Sequence, residues 1–334
     1  MKDSSTPSLG APMTEPYACA PLIREIGRGK DGSRALAREP SGELMGAILD
    51  GRVSDLELGA VLLALRMKGE AVSEVAGFLD AAEARMARVE APAGKPVIVL
   101  PTYNGSRHAP NLVPLLAWTV AQAGLPVLLH GQASDPARPG AGSNAARVPT
   151  IDILEALGVE ASPDAGAAAR ALRDRGLAYL PLAVASPGLA RVVGLRRILG
   201  VRNAAHTLAK LLRPVHGPSL LLSAYTHPEF GAMLSELFAL RREAALLMRA
   251  TEGEAVANTR RPQRIARWLD GAETTAVEGA GRADAELPAL PARDAAATAA
   301  WVRGIQQGSE PMPAAIAAQR DAILDAAARL GRAA

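Results

Sequence analysis

Cysteine occurs once in the 334 residues, at Cys19, and aromatic side chains make up only 3% of the chain. A single thiol excludes an intrachain disulfide and fits a reducing compartment, so the cytoplasm is the expected location. Few rings means few platforms on which unpaired bases stack. No uninterrupted apolar run reaches about 18 residues, which excludes a helical membrane span and predicts no membrane partner. Residues 1–16, rich in Ser, Pro and acids, lack the charged start and apolar stretch of a signal peptide and read as a disordered leader. There is also no helix-turn-helix, zinc-finger or RNA-recognition signature, no internal repeat and no heptad pattern.

Acidic residues are missing from one long interval. The formal net charge is only +3, yet no Asp or Glu occurs between Arg175 and Pro228, where Arg191, Arg196, Arg197, Arg202, Lys210 and Arg213 all fall. Residues 175–270 carry 14 basic and 6 acidic groups, and a second cluster there is Arg260, Arg261, Arg264 and Arg267. Solvated faces ordinarily mix both signs, so a one-sided interval calls for a polyanionic partner, or for arginines that pair with carboxylates or cap helix C-termini.

The most structured stretch is 97–131. Val97–Leu100 is a short apolar β-prone run, Leu112, Leu115, Leu116 and Val120 recur at helical spacing, and Val127–Leu129 resume an apolar strand. This predicts a βαβ unit of a parallel sheet, whose first loop lies at the carboxyl edge where such folds bind ligands. That loop holds Thr102, Tyr103, Asn104, Gly105, Ser106, Arg107 and His108 beside a helix start. It reads either as an ordinary polar connection or as an anion site. His130 and Gly131 end the second strand, His130 being either a ligand group or a satisfied sheet-edge histidine.

Upstream, Ser54-Asp55-Leu56-Glu57 is a capping box opening a helix with Leu58, Val61, Leu62 and Leu65 on one face, and a second helix begins near Ser73. Ile26 to Gly32 reads as a surface loop in preference to a phosphate nest, for no strand precedes it. Downstream, helices are predicted over 151–157, 189–198, 294–307 and 314–330, a strand over 177–182, and an irregular connection over 271–291. Trp268 reads as core.

The 97–131 segment resembles the phosphoribosyl-diphosphate loop of anthranilate phosphoribosyltransferases, in which Gly-Thr-Gly-Gly-Asp follows the first core strand and Lys-His-Gly-Asn-Arg the second. Here Pro101-Thr102-Tyr103-Asn104-Gly105 and Leu129-His130-Gly131-Gln132-Ala133 stand in those places. The departures match the YbiB-type branch of glycosyltransferase family 3, described as nucleic-acid binding and without transferase activity. The resemblance runs from about Pro21 to about Leu330. It also covers Leu65-Arg66-Met67-Lys68-Gly69-Glu70 in the small helical domain, and Leu195-Arg196-Arg197-Ile198-Leu199-Gly200-Val201-Arg202-Asn203, near the family's anthranilate-holding arginine motif.

The resemblance implies an α/β fold: an all-helical N-terminal domain, 17–90, through which the chain forms a homodimer, and a large domain, 91–334, with a mainly parallel sheet flanked by helices. A helical segment around 185–215 packs with the small domain. The adjacent Asp-Glu pair that holds magnesium in the transferases is absent, Glu252 and Glu254 being separated by Gly253, so neither a metal nor another cofactor is expected unless transferase activity survives. Ser143 and Asn144 are the nearest counterparts of the family's diphosphate-contacting loop.

The expected function is therefore largely sequence-non-specific binding of a DNA or RNA backbone, with no catalytic residue. The binding residues are Arg196, Arg197, Arg202, Lys210, Arg213, Arg260, Arg261 and Arg264. Thr102, Tyr103, Asn104, Gly105, Arg107, His108, His130 and Gly131 form the candidate anion loop. Phosphoribosyl transfer to anthranilate or another aromatic amine, with magnesium, is the alternative. A pyrimidine-nucleoside phosphorylase ranks last, since its lysine- and serine-containing motif is absent.

Overall fold

The computed structural model describes residues 15–29, 31–132, 147–280 and 289–333. Most of the expected leader, together with Ser143 and Asn144, lies outside the described residues. The chain opens with four helices, α1 (Ala20–Ile26), α2 (Arg38–Leu49), α3 (Asp55–Lys68) and α4 (Val72–Glu83). The capping box forms as the sequence predicts: the Ser54 hydroxyl accepts the Glu57 N–H and donates to the Glu57 carboxylate at 2.6 Å. Such a cap is worth about 1 kcal/mol. Helices α2 and α4 cross backbone to backbone at Gly77, where an added Cβ would lie 2.0 Å from the Arg38 carbonyl oxygen. Cys19 is buried at α1, and burial first, then the Glu57 charge, push its thiol up to about 11. That makes it a poor nucleophile.

There follow β1 (Val89–Glu90), β2 (Val97–Thr102), α5 (Val113–Gln122), β3 (Val127–Gly131), α6 (Thr150–Ala156), α7 (Ala165–Arg175) and β4 (Leu177–Pro181). Four short helices come next: α8 (Leu182–Ala185), α9 (Pro187–Gly194), α10 (Arg196–Leu199) and α11 (Ala205–Ala209). They return to the small bundle, where Gly188 closes on the Leu49 carbonyl and Arg191 Nη2 donates to the Ile48 carbonyl at 2.5 Å. The remaining elements are β5 (Val215–His216), β6 (Ser219–Tyr225), α12 (Pro228–Arg241), β7 (Ala245–Arg249), β8 (Ile265–Leu269), β9 (Ala272–Val277), α13 (Ala295–Gln306) and α14 (Ala314–Ala333).

The main sheet has seven strands in the order β4-β3-β2-β6-β7-β8-β9, parallel from β4 to β7 and antiparallel beyond. Alternation along β2 explains how it is covered on both sides. Val97 and Val99 join one apolar cluster with the helical bundle, α7 and α12, while Ile98 and Leu100 join a second with α5, α13 and α14. Trp268 sits in the first cluster, 5% exposed and edge-on to Phe238, as a core residue. The irregular connection expected over 271–291 is corrected in part, because residues 272–277 are the edge strand β9. Asp270 and Gly271 both take positive φ, 52° and 81°, the geometry of a two-residue hairpin turn, and the β-branched Thr274, Thr275 and Val277 follow.

A small parallel pair, β1 with β5, links the two parts of the chain. The pivotal position is β2. The chain continues from it to β3 on one side, and β6 lies on the other, so the carboxyl end of β2 faces a topological switch point, the crevice in which open α/β sheets place ligands.

Candidate functional site

The loop leaving β2 enters that crevice, and its backbone N–H groups converge on two carboxylates. Asn104 and Gly105 N–H both donate to Glu254 Oε1, at 2.7 and 2.6 Å. Arg107 N–H donates to Glu252 Oε2, and His108 and Ala109 N–H to Glu252 Oε1, at 2.7 and 2.8 Å. Glu252 and Glu254 come from the segment just after β7, where Thr251 and Glu254 exchange backbone hydrogen bonds, each 3.0 Å long, across a two-residue turn. That turn needs positive φ at both central positions and has it, 53° at Glu252 and 96° at Gly253. Glycine is required at 253 for a second reason: a Cβ there would lie 2.2 Å from Asn104 Nδ2, which donates to the Gly253 carbonyl at 2.6 Å.

Cations surround this turn. Lys210 Nζ donates to the Gly253 carbonyl at 3.0 Å, Arg202 Nη2 to Asn104 Oδ1 at 2.6 Å, and Arg147 Nη1 to the Gly105 carbonyl at 2.9 Å and the Glu252 carbonyl at 3.2 Å. Their proximity is felt in their protonation. Arg202 is drawn below its ordinary value by burial first, then by the charges of Arg196, Arg147 and Arg66. Burial also lowers Lys210, with Glu254 opposing and Arg202 and Arg147 adding to the effect. His206 falls to about 4, from burial and then the Arg202 charge, and so is neutral at pH 7. Glu254, 1% exposed, is pushed up by burial and held down by Lys210 and by the two N–H donors.

The arginines and lysine singled out in the sequence do not all meet here. Arg196, Arg202 and Lys210 do, with Arg197 exposed beside them on α10. Arg213 is not brought to the cluster as a free cation. It pairs with Glu243, which also holds Arg241 at 2.8 Å, and Arg241 in turn binds Asp80 and Glu83 of α4. Arg264 is spent on the antiparallel edge, bound to Glu273 at 3.0 Å and Thr275 at 2.9 Å of β9. Arg260 and Arg261 are exposed in the turn before β8, their backbone N–H groups held by Asn258 Oδ1.

Within the anion loop the roles also divide. Arg107 and His108 are exposed, and their side chains are free of hydrogen-bond partners among the described residues. The Thr102 hydroxyl is buried against that of Thr150. His130 faces inward: it is 0% exposed, its Nδ1 accepts from the Tyr103 hydroxyl at 2.8 Å, and its Nε2 donates to the Leu212 carbonyl at 3.1 Å. Of its two readings, the satisfied histidine is the one the geometry holds. Gly131 is buried between strands, where a Cβ would meet the Thr102 carbonyl oxygen at 2.1 Å. Sequence reasoning missed Arg147, Arg66 and the carboxylate turn as members of the site. The only local signal for the turn was Glu252-Gly253, a pair able to take positive φ.

Comparison with known proteins follows this architecture. Residues 20–86 match the helical bundle domain of a glycosyl transferase family, and residues 105–330 match that family's a/b domain. The uncharacterized protein YbiB of Escherichia coli K12 is 39% identical over 301 residues, covering 89% of this chain and 91% of its own. Anthranilate phosphoribosyltransferase of Anaeromyxobacter dehalogenans is 30% identical over 312 residues, covering 92% and 86%. Among solved structures, anthranilate phosphoribosyltransferase of Thermus thermophilus superposes with a TM-score of 0.72 at 23% identity, over 93% of this chain and 91% of that one, which speaks for the fold. With both of its domains matched in order and nearly its whole length shared with these relatives, the chain belongs to glycosyltransferase family 3.

Proposed function

We propose that the protein binds nucleic-acid backbone, DNA in the first instance, with little sequence preference, and that it does so as a homodimer. One observation carries this reading. Arg66, Arg147, Arg196, Arg202 and Lys210 gather around one crevice, while Arg196 and Arg197 stand exposed with no side-chain partner among the described residues. Phosphates attract such a cluster through charge-assisted contacts and counterion release, neither of which reads bases. Arg260 and Arg261 extend the basic surface, whereas Arg213 and Arg264 are left to their intramolecular partners. The dimer is supported by α3, whose Leu56, Leu63 and Met67 are exposed at 86%, 42% and 85% on positions that recur along one helical face.

The test is fluorescence anisotropy on a random-sequence oligonucleotide across a salt series, with the Arg196→Ala/Arg197→Ala/Arg202→Ala variant alongside. The wild type should lose affinity steeply with salt, and the triple variant should bind more weakly to every sequence, its salt slope reduced by about 0.7–0.9 for each phosphate contact removed. Unchanged affinity in the folded variant would place the interface elsewhere, and no binding at low salt would end the reading.

Phosphoribosyl transfer is the second reading, favoured by the identity shared with anthranilate phosphoribosyltransferases. Against it stands the lack of the transferases' adjacent carboxylate pair: Glu252 and Glu254 are separated by Gly253, and their oxygens accept backbone N–H groups of the loop. Anthranilate consumption in the presence of phosphoribosyl diphosphate and magnesium would restore that reading.

A further inference from the structure

A proline stands inside the sheet at position 101, on the side of β2 that faces β6. The two strands pair only over Val97–Val99 with Ser219–Leu221, although they run on to Thr102 and Tyr225. Backbone alternation gives the reason. Val97 N–H donates to the Pro218 carbonyl at 2.9 Å, so residues 97, 99 and 101 face β6, and the donors from 99 and 101 belong on the Leu220 and Leu222 carbonyls. Proline has no N–H to give. The Leu222 carbonyl is therefore left without its ladder donor, and the seam opens into a cavity of about 10 Å³ lined by Pro101, Leu222, Ser223, Ala224, Lys210 and Gly253. Ser223 is 2% exposed, and its hydroxyl has no partner among the described residues. Lys210 Nζ carries three protons and has one acceptor among those residues, the Gly253 carbonyl at 3.0 Å. We propose that the seam binds one ordered water, which accepts from the Lys210 ammonium and bonds the Leu222 carbonyl and the Ser223 hydroxyl, making Ser223 a positioning residue for Lys210.

Size and chemistry together select the ligand. A space of this volume holds a single water, and a buried water needs two to four polar partners, which the carbonyl, the hydroxyl and the ammonium supply. A cation there would face the Lys210 charge, and an anion would face the Leu222 carbonyl. Water both donates and accepts, so it suits both neighbours. It also answers groups that are costly to leave unpaired away from solvent, at about 1–3 kcal/mol each. The consequence reaches the crevice through Lys210, which holds the turn after β7 by the Gly253 carbonyl. In the same turn Glu254 receives the Asn104 and Gly105 N–H groups. An ammonium held by water as well as by that carbonyl keeps its place, and the turn keeps its support.

The experiment has two arms, both on the full-length protein. A crystal structure that shows ordered solvent should place one water peak within hydrogen-bond distance of Leu222 O, Ser223 Oγ and Lys210 Nζ. Pro101→Ala restores the missing donor, so in that variant the ladder should close onto Leu222 and the water should be gone. An empty wild-type seam, or a water that persists in Pro101→Ala, overturns the inference. The second arm is hydrogen exchange at the Asn104 and Gly105 amides. Ser223→Ala should speed their exchange about 5-fold, the worth of one hydrogen bond, and Ser223→Thr, which keeps the hydroxyl, should stay near the wild type. In a Lys210→Ala background the Ser223→Ala change should add nothing, because the group it positions is gone. Unaltered exchange in Ser223→Ala, or the same increment without Lys210, overturns the positioning role. No oligonucleotide enters either arm, so failure here and failure of nucleic-acid binding are told apart.

Discussion

Acidification should expose the cost of burying His130. In the fold its imidazole is neutral and fully enclosed, Nε2 donating to the Leu212 carbonyl and Nδ1 accepting the Tyr103 hydroxyl. A second proton would place a charge in the core, so burial lowers the group from 6.5 to about 4, the Leu212 contact only partly opposing. Above about pH 6.5 neither the folded nor the unfolded chain carries that proton. Between 6.5 and about 4 only the unfolded chain takes it up, so stability falls with pH through that window and levels off below it. At 1.36 kcal/mol per pH unit the full loss is about 3 kcal/mol. Urea denaturation of wild type and His130→Gln at intervals from pH 7 to pH 4 isolates this contribution. His206, also held near 4, and Glu254, whose raised value works in the opposite direction, are present in both proteins and cancel in the difference. The stability gap between the two should close by about 3 kcal/mol on acidification. Parallel curves throughout would refute the assignment of a neutral, doubly bonded imidazole.

Other perturbations test the rest of the architecture. Arg241→Ala removes a side chain 9% exposed that joins Glu243 to Asp80 and Glu83 across the boundary between α12 and α4, leaving Glu83 without a cation among the described residues while Glu243 keeps Arg213 and Asp80 keeps Arg38. Chemical denaturation should show a loss of about 3 kcal/mol or more. Gly77→Ala would ordinarily stabilise a helix by up to about 1 kcal/mol. Here the new Cβ meets the Arg38 carbonyl at 2.0 Å, so the sign should reverse and the melting temperature should drop. Leu63→Glu/Met67→Glu places two charges on the exposed face of α3. Light scattering should report a monomer of unchanged helicity where the wild type is a dimer, and a monomeric wild type would remove the dimer proposal.

What was legible in the sequence was what is local. The apolar runs of β2 and β3 and the Ser54–Glu57 box announce themselves within a few residues, because the strand period, helix period and cap geometry are short-range. Local reading also misses local signals it does not weigh: Asp270-Gly271 is a hairpin pair, and overlooking it hid β9. The site was harder for a different reason. Glu252 meets Arg107, His108 and Ala109 across more than 140 residues of chain, and Arg213 finds Glu243 30 residues away. Spacing carries no trace of such pairings. An interval free of acids therefore looked uniformly available, although the fold assigns its members quite different electrostatic surroundings.

Those surroundings decide what each cation can do. Arg213 lies against a carboxylate 7% exposed, and withdrawing it to meet a phosphate would leave the buried Glu243 with Arg241 as its one cation among the described residues, a penalty that a surface phosphate contact must first offset. Arg196 and Arg197 incur no such penalty, because they are exposed and hold no carboxylate among the described residues. Lys210 and Arg202 are intermediate: burial lowers the pKa of both, and both are engaged with the carboxylate turn or the loop beneath it. A phosphate approaching the crevice thus meets a graded field, in which the outer arginines act as donors and the inner cations mainly add charge. Replacing the outer residues should weaken binding directly, whereas replacing Lys210 should first loosen the turn, and the two effects separate in an assay that measures oligonucleotide affinity and loop protection from amide exchange together.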